Sequence, residues 1–218
     1  MKTILKGLVL ALMLVVFFMT DGIFAQQQSK TAKGGVRVVG LYSETEEGAH
    51  VSYRVGSGDW VVVKVDDVIP ANAEIKVSVE WDWVEVVPVD NPRIVYEITG
   101  SEQGDVIKKV SDLLKEKGKK VSFPVAGKGV DPNFKNKLVV KKYLGRHFYI
   151  SPQGSQTEIK YGDVLDIKGK VNMIAINTTL TLVFPNGKKS VEVVGPIKFE
   201  LEKLYKGEKI YKYLNITK

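Results

Sequence analysis

From residue 36 onward the chain is built of short, valine-rich runs that alternate with turn-forming clusters. Residues 36–41, 49–55, 60–65, 73–79, 83–87 and 93–98 are such runs, with Gly56-Ser57-Gly58-Asp59 and Asp90-Asn91-Pro92 lying between two pairs of them. A β-branched side chain loses rotamer freedom against a helical turn but packs well on a pleated surface. Glycine, asparagine, aspartate and proline supply the backbone angles that reverse a strand. The same texture returns at residues 137–142, 147–150, 158–161, 164–167, 171–176, 179–184 and 190–194. The pattern predicts a mainly β fold.

One segment carries a different period. Val106, Ile107, Val110, Leu113 and Leu114 are spaced like one face of a helix. Asp105 precedes them, Lys115 and Lys117 follow, and Gly118 is placed to stop the helix. The spacing therefore predicts one amphipathic helix, continued by the basic run 115–120 and a loop over 123–136. The tail, 197–218, reads as a strand followed by a short helix. The organisation expected is a first β-domain at 36–104, a helix and basic linker at 105–136, and a second β-domain at 137–218. Each β-domain is expected to be a sandwich or barrel-like repeat.

Ahead of the β-region, Lys2 and Lys6 lead into an uninterrupted apolar run of 13 residues, 7–19, and then to Ile23-Phe24-Ala25. A membrane-spanning helix needs about 20 apolar residues, so residues 1–25 read as a secretory signal peptide cut between Ala25 and Gln26. Membrane contact is then expected only through that signal. Residues 26–35 are polar, end in Gly-Gly and read as a flexible lead-in. The chain has no cysteine, which excludes disulfides and lipidation of an N-terminal cysteine.

The formal charge is +7, and removal of Lys2, Lys6 and Asp21 leaves +6 (7 − 2 + 1). With 44% hydrophobic and 26% charged residues, the composition fits a globular protein and not a disordered tail. An exported basic protein seldom meets nucleic acid, so its expected partners are envelope or periplasmic proteins, an acidic surface or a glycan. The expected location is the periplasm or the cell envelope.

Sliding the chain against itself by 96 residues places Lys64-Val65-Asp66-Asp67-Val68-Ile69 over Lys160-Tyr161-Gly162-Asp163-Val164-Leu165. Ile75, Val77 and Val79 then fall over Val171, Met173 and Ala175, and Asp90-Asn91 falls over Asn186-Gly187. One residue of slippage brings Gly100 over Gly195. This points to an internal duplication. The second copy, with Gly162-Asp163-Val164-Leu165, Pro185-Asn186-Gly187 and Val191-Glu192-Val193-Val194-Gly195, resembles the FecR-like periplasmic domain. In the first copy Asp66 stands where that motif has glycine, and Asn91-Pro92 stands where it has Asn-Gly. The resemblance implies an exported, mostly β, non-catalytic module that engages protein partners at the envelope. Apart from the resemblance, Asn186-Gly187 between two apolar runs is the signature of a type I′ hairpin.

Chemistry-bearing motifs are sparse. His50 and His147 are about a hundred positions apart with no local metal-ligand spacing. No nucleophile elbow, Walker loop or G-x-G-x-x-G strand-to-helix turn occurs. Asp66-Asp67 and Asp90-Asn91 lack the alternating ligands of a calcium loop. No catalytic residue, metal or cofactor is therefore assigned, and the chain is not expected to be an enzyme.

Two aromatic clusters remain as candidate surfaces for a ligand or partner. If residues 79–87 are extended, Trp81, Trp83 and Glu85 share one face and Glu80 and Asp82 the other. A pair of indoles on an open face would stack a sugar ring; on an inward face they are core. The second cluster is Lys141, Lys142, Tyr143, Arg146 and Tyr149, whose cations and rings suit an acidic ligand or a charged edge strand. The function expected is a non-enzymatic envelope protein that binds or scaffolds other components, such as the coat of a filament. The alternative is a carbohydrate- or peptidoglycan-binding module using Trp81 and Trp83.

Overall fold

In the computed structural model, which describes residues 34–44, 50–126, 129–208 and 214–217, most of the valine runs become strands, and Val38, Val77, Val84, Val86, Val140 and Val171 are buried within them. The expected signal peptide, its cut between Ala25 and Gln26, and the lead-in as far as residue 33 lie outside the described residues.

The first half comprises β1 (Val36–Tyr42), β2 (Val51–Val55), β3 (Val61–Val62), β4 (Val68–Ile69), β5 (Ala73–Val77), β6 (Trp83–Pro88), β7 (Ile94–Thr99), β8 (Val106–Lys109) and α1 (Val110–Leu113). A short β9 (Lys119–Lys120) and a 3-10 turn at Pro132–Phe134 lead into the second half. That half comprises β10 (Lys137–Leu144), β11 (His147–Ile150), β12 (Gln156–Glu158), β13 (Val164–Asp166), β14 (Lys170–Met173), β15 (Thr179–Val183), β16 (Ser190–Val194), β17 (Ile197–Glu200), α2 (Leu201–Lys206) and β18 (Leu214–Thr217). The fold is mainly β, as the strand texture predicts.

One large sheet runs in the order β18-β16-β15-β10-β1-β6-β7-β9, with β4 and β13 added to β1 and β10. Two smaller sheets, β3-β2-β5-β8 and β12-β11-β14-β17, each belong to one half. Because side chains alternate along a strand, β6 sends Val84 and Val86 into a core with Val51, Ile75 and Val77. Val87 instead joins Val39 and Val95 in a second core with Leu138, Val171 and Phe199. The two small sheets thus cover opposite faces of the large one, giving sandwich-like packing on both sides.

The second half repeats the pairings of the first. β1 pairs with β4 and β6, and β10 pairs with β13 and β15, all antiparallel. A register shift interrupts β1 between Val38 and Gly40 and β10 between Val140 and Lys142. At those bulges the inward face is recovered, so Val38 and Leu41 share one core and Val140 and Tyr143 the other. The turns match as well. Asp67 accepts from the Lys64 N–H at 2.8 Å, and Asp163 accepts from the Lys160 N–H at 2.8 Å. Asp66 and Gly162 both sit in the left-handed region, at φ 75° and 79°. Where the halves meet, β1 and β10 lie parallel, with Gly40 opposite Tyr143 and Leu41 opposite Leu144.

Two local expectations are corrected. The helix expected from Val106 begins only at Val110, because Val106–Lys109 is a strand paired along Glu74–Val77 of β5. The open edge of β5 gives the β-branched pair Val106-Ile107 a ladder of hydrogen bonds that outweighs the helical spacing. Val110 and Leu113 still bury their side chains, now as a single turn against the first core. The hairpin between β15 and β16 is present, but its turn is centred on Pro185-Asn186 and not on Asn186-Gly187. The Gly187 N–H donates to Phe184 O at 2.9 Å, Gly187 is at φ 66°, and Asn186 is not among the positive-φ residues. Proline holds φ near −65° and so suits the first central position of an ordinary turn. The Asn186 side chain then accepts from the Lys188 and Lys189 N–H groups. In the tail β17 runs directly into α2 as expected, but a further strand, β18, follows the helix and pairs antiparallel with β16.

Candidate functional site at the seam

The parallel contact of β1 and β10 places several of the predicted side chains at the boundary between the halves. Tyr143 is fully buried, its ring lying over Gly40, where a β-carbon would stand 2.5 Å from the ring. The close approach explains the glycine at that bulge. The Tyr143 hydroxyl donates to Glu85 Oε2 at 2.8 Å and accepts from Trp83 Nε1 at 3.0 Å. The Tyr161 backbone N–H donates to the same Glu85 oxygen at 2.8 Å. Burial pushes the Glu85 carboxyl above its ordinary value, against the pull of these two donors and of Lys160. Burial and then the Glu85 charge push Tyr143 well above its usual value, and Tyr161 is pushed up to about 12 for the same reasons. Both phenols are therefore proton donors at neutral pH.

Trp83 forms the next layer. It is 6% exposed, its ring centroid 4.5 Å from that of Tyr42, with the Lys160 ammonium 3.7 Å above it and the Arg146 guanidinium 6.0 Å away. Trp81 is 60% exposed and precedes β6, on a turn closed by the Asp82 N–H to Val79 O. Residues 79–82 are not extended, so the two indoles do not form a shared platform: Trp83 packs inside the seam and Trp81 stands outside. Asp82 is fully buried and holds the strand end, accepting from Ser43 Oγ at 2.8 Å and the Glu44 N–H at 2.8 Å, with His50 Nδ1 at 3.1 Å.

The basic-aromatic cluster is divided between β10, the turn after it and β11. Far from being an edge, β10 lies between β1 and β15. Lys142 reaches Asp66 at 2.6 Å, linking the halves, and Arg146 pairs with Glu158 at 2.7 Å. Lys141 is exposed, while Tyr149 packs against the second core and donates weakly to Asp166 O at 3.4 Å. His147 is fully buried, its Nε2–H donating to Thr179 O at 2.9 Å, and burial lowers its pKa.

What the sequence reading missed is a groove beside this seam. It has a volume of about 730 Å³ and opens between the β3–β4 segment, the β10–β11 turn and the β14–β15 loop. Its walls are largely apolar, from Tyr42, Val62, Val65, Phe148, Ile174 and Ile176. Ile174 and Ile176 are 59% and 58% exposed, an unusual concentration of branched apolar side chains on one loop. Lys64, Arg146 and Glu44 supply its charge. The signal available in the sequence was Ile174-Ala175-Ile176, which alternation along a strand assigns to a half-buried extension of β14. β14 ends at Met173, and the two isoleucines project from the loop instead.

The arrangement offers a surface for holding an apolar group. Among the described residues no group of three or more histidine, cysteine, aspartate or glutamate side chains could hold a metal ion. Among the same residues no helix is long and apolar enough to cross a membrane. No family model, no curated protein and no solved structure matches the chain.

Proposed function

We propose that this is an exported, non-enzymatic protein of the cell envelope that binds or scaffolds other envelope components, and that the seam groove is its contact surface. The observation that carries the reading is the exposed pair Ile174 and Ile176 on the wall of an open, mostly apolar groove. Exposed apolar side chains gathered on one concave surface mark interaction sites, since isolated ones carry no such meaning. The apolar run at 7–19 with its basic start supports export. The matched turns at Lys64–Asp67 and Lys160–Asp163 support a tandem duplication of one β-module, in keeping with the FecR-like resemblance.

The test is photo-crosslinking in intact cells, with the crosslinking amino acid at position 176 and a tag after Lys218. Mass spectrometry identifies what is captured, and N-terminal sequencing of the recovered chain locates the signal cut. The expected result is a chain beginning at Gln26, crosslinked to one reproducible envelope component, with the adduct lost when Ile174→Asp is added. A chain that retains residues 1–25 in the cytoplasm, or capture unaffected by Ile174→Asp, overturns the reading.

A further inference from the structure

The register of the large sheet brings basic side chains from both halves to one end of its strands. β1 and β10 are parallel and so begin at the same end. Antiparallel pairing puts the ends of β4, β6, β13 and β15 there, with the starts of β7 and β16. The chain carries Arg93 just before β7, and Lys120 closes β9 opposite Ile94. In the second half Lys135 and Lys137 lead into β10, Lys168 follows β13, and Lys188 and Lys189 precede β16. All but the half-buried Lys189 are exposed, and among the described residues none of the seven is in an ion pair.

The acidic side chains at these strand ends are Asp90, Asp131 and Asp166, which leaves a net charge of +4 (7 − 3). Asp131 accepts from the Asn133 N–H at 3.0 Å and Asp166 from the Lys168 N–H at 2.9 Å, so two of the three carboxylates are held by backbone donors. The neighbouring α2, whose Tyr205 ring stacks on Phe184, keeps the balance unchanged, with Lys203 on Glu200 and Lys206 on Glu202. The opposite end of the same strands carries Glu44, Glu80, Asp82 and Glu102, while its Arg146 is paired with Glu158. Charge is thus separated along the strand axis, and the field of the molecule turns its basic end toward a negative surface.

The basic end also presents apolar side chains to water. The segment before β10 lies against the β15–β16 hairpin: the Asp131 N–H donates to Pro185 O at 3.0 Å, and a β-carbon on Gly187 would stand 2.7 Å from Ala126 N. On this segment Val125 and Val130 are 64% and 52% exposed, next to the hairpin that carries Lys188 and Lys189. Cations and exposed apolar groups together supply the two signals that hold a protein at a bilayer, whereas a soluble acidic polymer uses the cations and leaves the valines in water. The chain enters the fold here as well, since β1 begins at this end and the apolar run 7–19 lies upstream of it.

We infer that this basic end is a membrane-docking surface that takes the anionic headgroups of a lipid bilayer, with Val125 and Val130 at headgroup depth. The contact is additional to the one expected through the signal. It does not use the seam groove, which opens at the opposite end of β1 and β10 and therefore faces away from the bilayer, free for its own partner.

The experiment is flotation of the purified protein with vesicles of phosphatidylcholine alone and of phosphatidylcholine with phosphatidylglycerol. The expected result is binding to the anionic vesicles only, weakening as salt is raised. Lys188→Ala combined with Lys189→Ala is expected to weaken binding by roughly tenfold or more, as for two lysines removed from a charged membrane surface. Val125→Asp is expected to weaken it too, and Lys198→Ala, on the outer face of β17, to leave it unchanged. Unchanged melting temperatures separate lost binding from lost folding. Absence of binding to anionic vesicles at low salt, or binding unaffected by the two lysine substitutions, overturns the inference. Retention on immobilised polyglutamate together with vesicle binding that ignores Val125→Asp assigns the lysines to an acidic macromolecule and overturns the bilayer as occupant. Capture from position 176 tests the groove separately, so failure here leaves that reading standing.

Discussion

The Tyr143 hydroxyl of β10 donates to the Glu85 carboxylate of β6 at 2.8 Å, across the boundary between the two halves and out of contact with water. The same carboxylate oxygen receives the Tyr161 N–H, so one atom of the first half organises two donors of the second. The position corresponding to Glu85 in the second half is Thr181, opposite the β10 bulge as Glu85 is opposite the β1 bulge. The buried carboxylate therefore belongs to the joint between the halves and has no acidic counterpart in the second half.

Removing that acceptor leaves two buried donors without a partner. Glu85→Val is expected to lower stability by about 2–4 kcal/mol, the scale for unsatisfied buried groups near a lost charge. Because both donors use Oε2, Glu85→Gln can keep both bonds through its amide oxygen, and is expected to stay close to wild type near pH 7. Urea denaturation of the two variants checks the contrast.

The pH dependence follows from the raised Glu85 pKa. The folded chain holds this proton more tightly than the unfolded chain, so the contribution is fully present below the ordinary glutamate value of 4.5 and is lost as pH climbs through the higher folded value. Stability attributable to Glu85 thus falls with rising pH in that window, and Glu85→Gln is expected to remove this part of the slope. Thermal melts from pH 4 to pH 8, on roughly the interval the linkage requires, read it directly.

Gly40 and Gly162 test the two close approaches. A β-carbon at Gly40 meets the Tyr143 ring at 2.5 Å, and the ring is pinned by Glu85 and Trp83, so Gly40→Ala is expected to cost about 1–3 kcal/mol. At Gly162 the left-handed φ adds to a clash of the new β-carbon with the Val121 side chain, and Gly162→Ala is expected to cost about 2–4 kcal/mol. Asp66 occupies the matching left-handed position, so Asp66→Gly relieves backbone strain while losing the exposed Lys142 ion pair. It is expected to fall within about 1 kcal/mol of wild type. Equal losses from Gly162→Ala and Asp66→Gly would contradict the correspondence of the two turns.

The two tryptophans are expected to separate cleanly. Trp83→Ala empties the space between Tyr42 and Lys160 and is expected to cost about 3–5 kcal/mol, whereas Trp81→Ala, on an exposed turn, is expected to change stability by less than about 0.5 kcal/mol. Urea denaturation of the two variants provides the comparison.

Much of this architecture was legible in residue order. Valine-rich runs marked the strands because branched side chains favour a pleated, half-buried surface whatever their neighbours. The shift of 96 residues was visible because the turn at Lys64–Asp67 and its match at Lys160–Asp163 depend on local chemistry, an aspartate bonding the backbone three residues earlier. Where local signals competed, the sequence misled. Val106 and Ile107 fit a helical face and a strand equally well, and the unpaired edge of β5, unknowable from sequence, decided between them.

The sequence by itself determined that the chain is mainly β, where most strands fall and which turns match between the halves, since those depend on interactions within a few residues. The tertiary structure alone decided that Trp83 is inside and Trp81 outside, that β10 is central, and that an apolar groove opens beside Lys64 and Arg146. Those outcomes depend on the parallel meeting of β1 and β10, a contact between residues about a hundred positions apart that no local preference encodes.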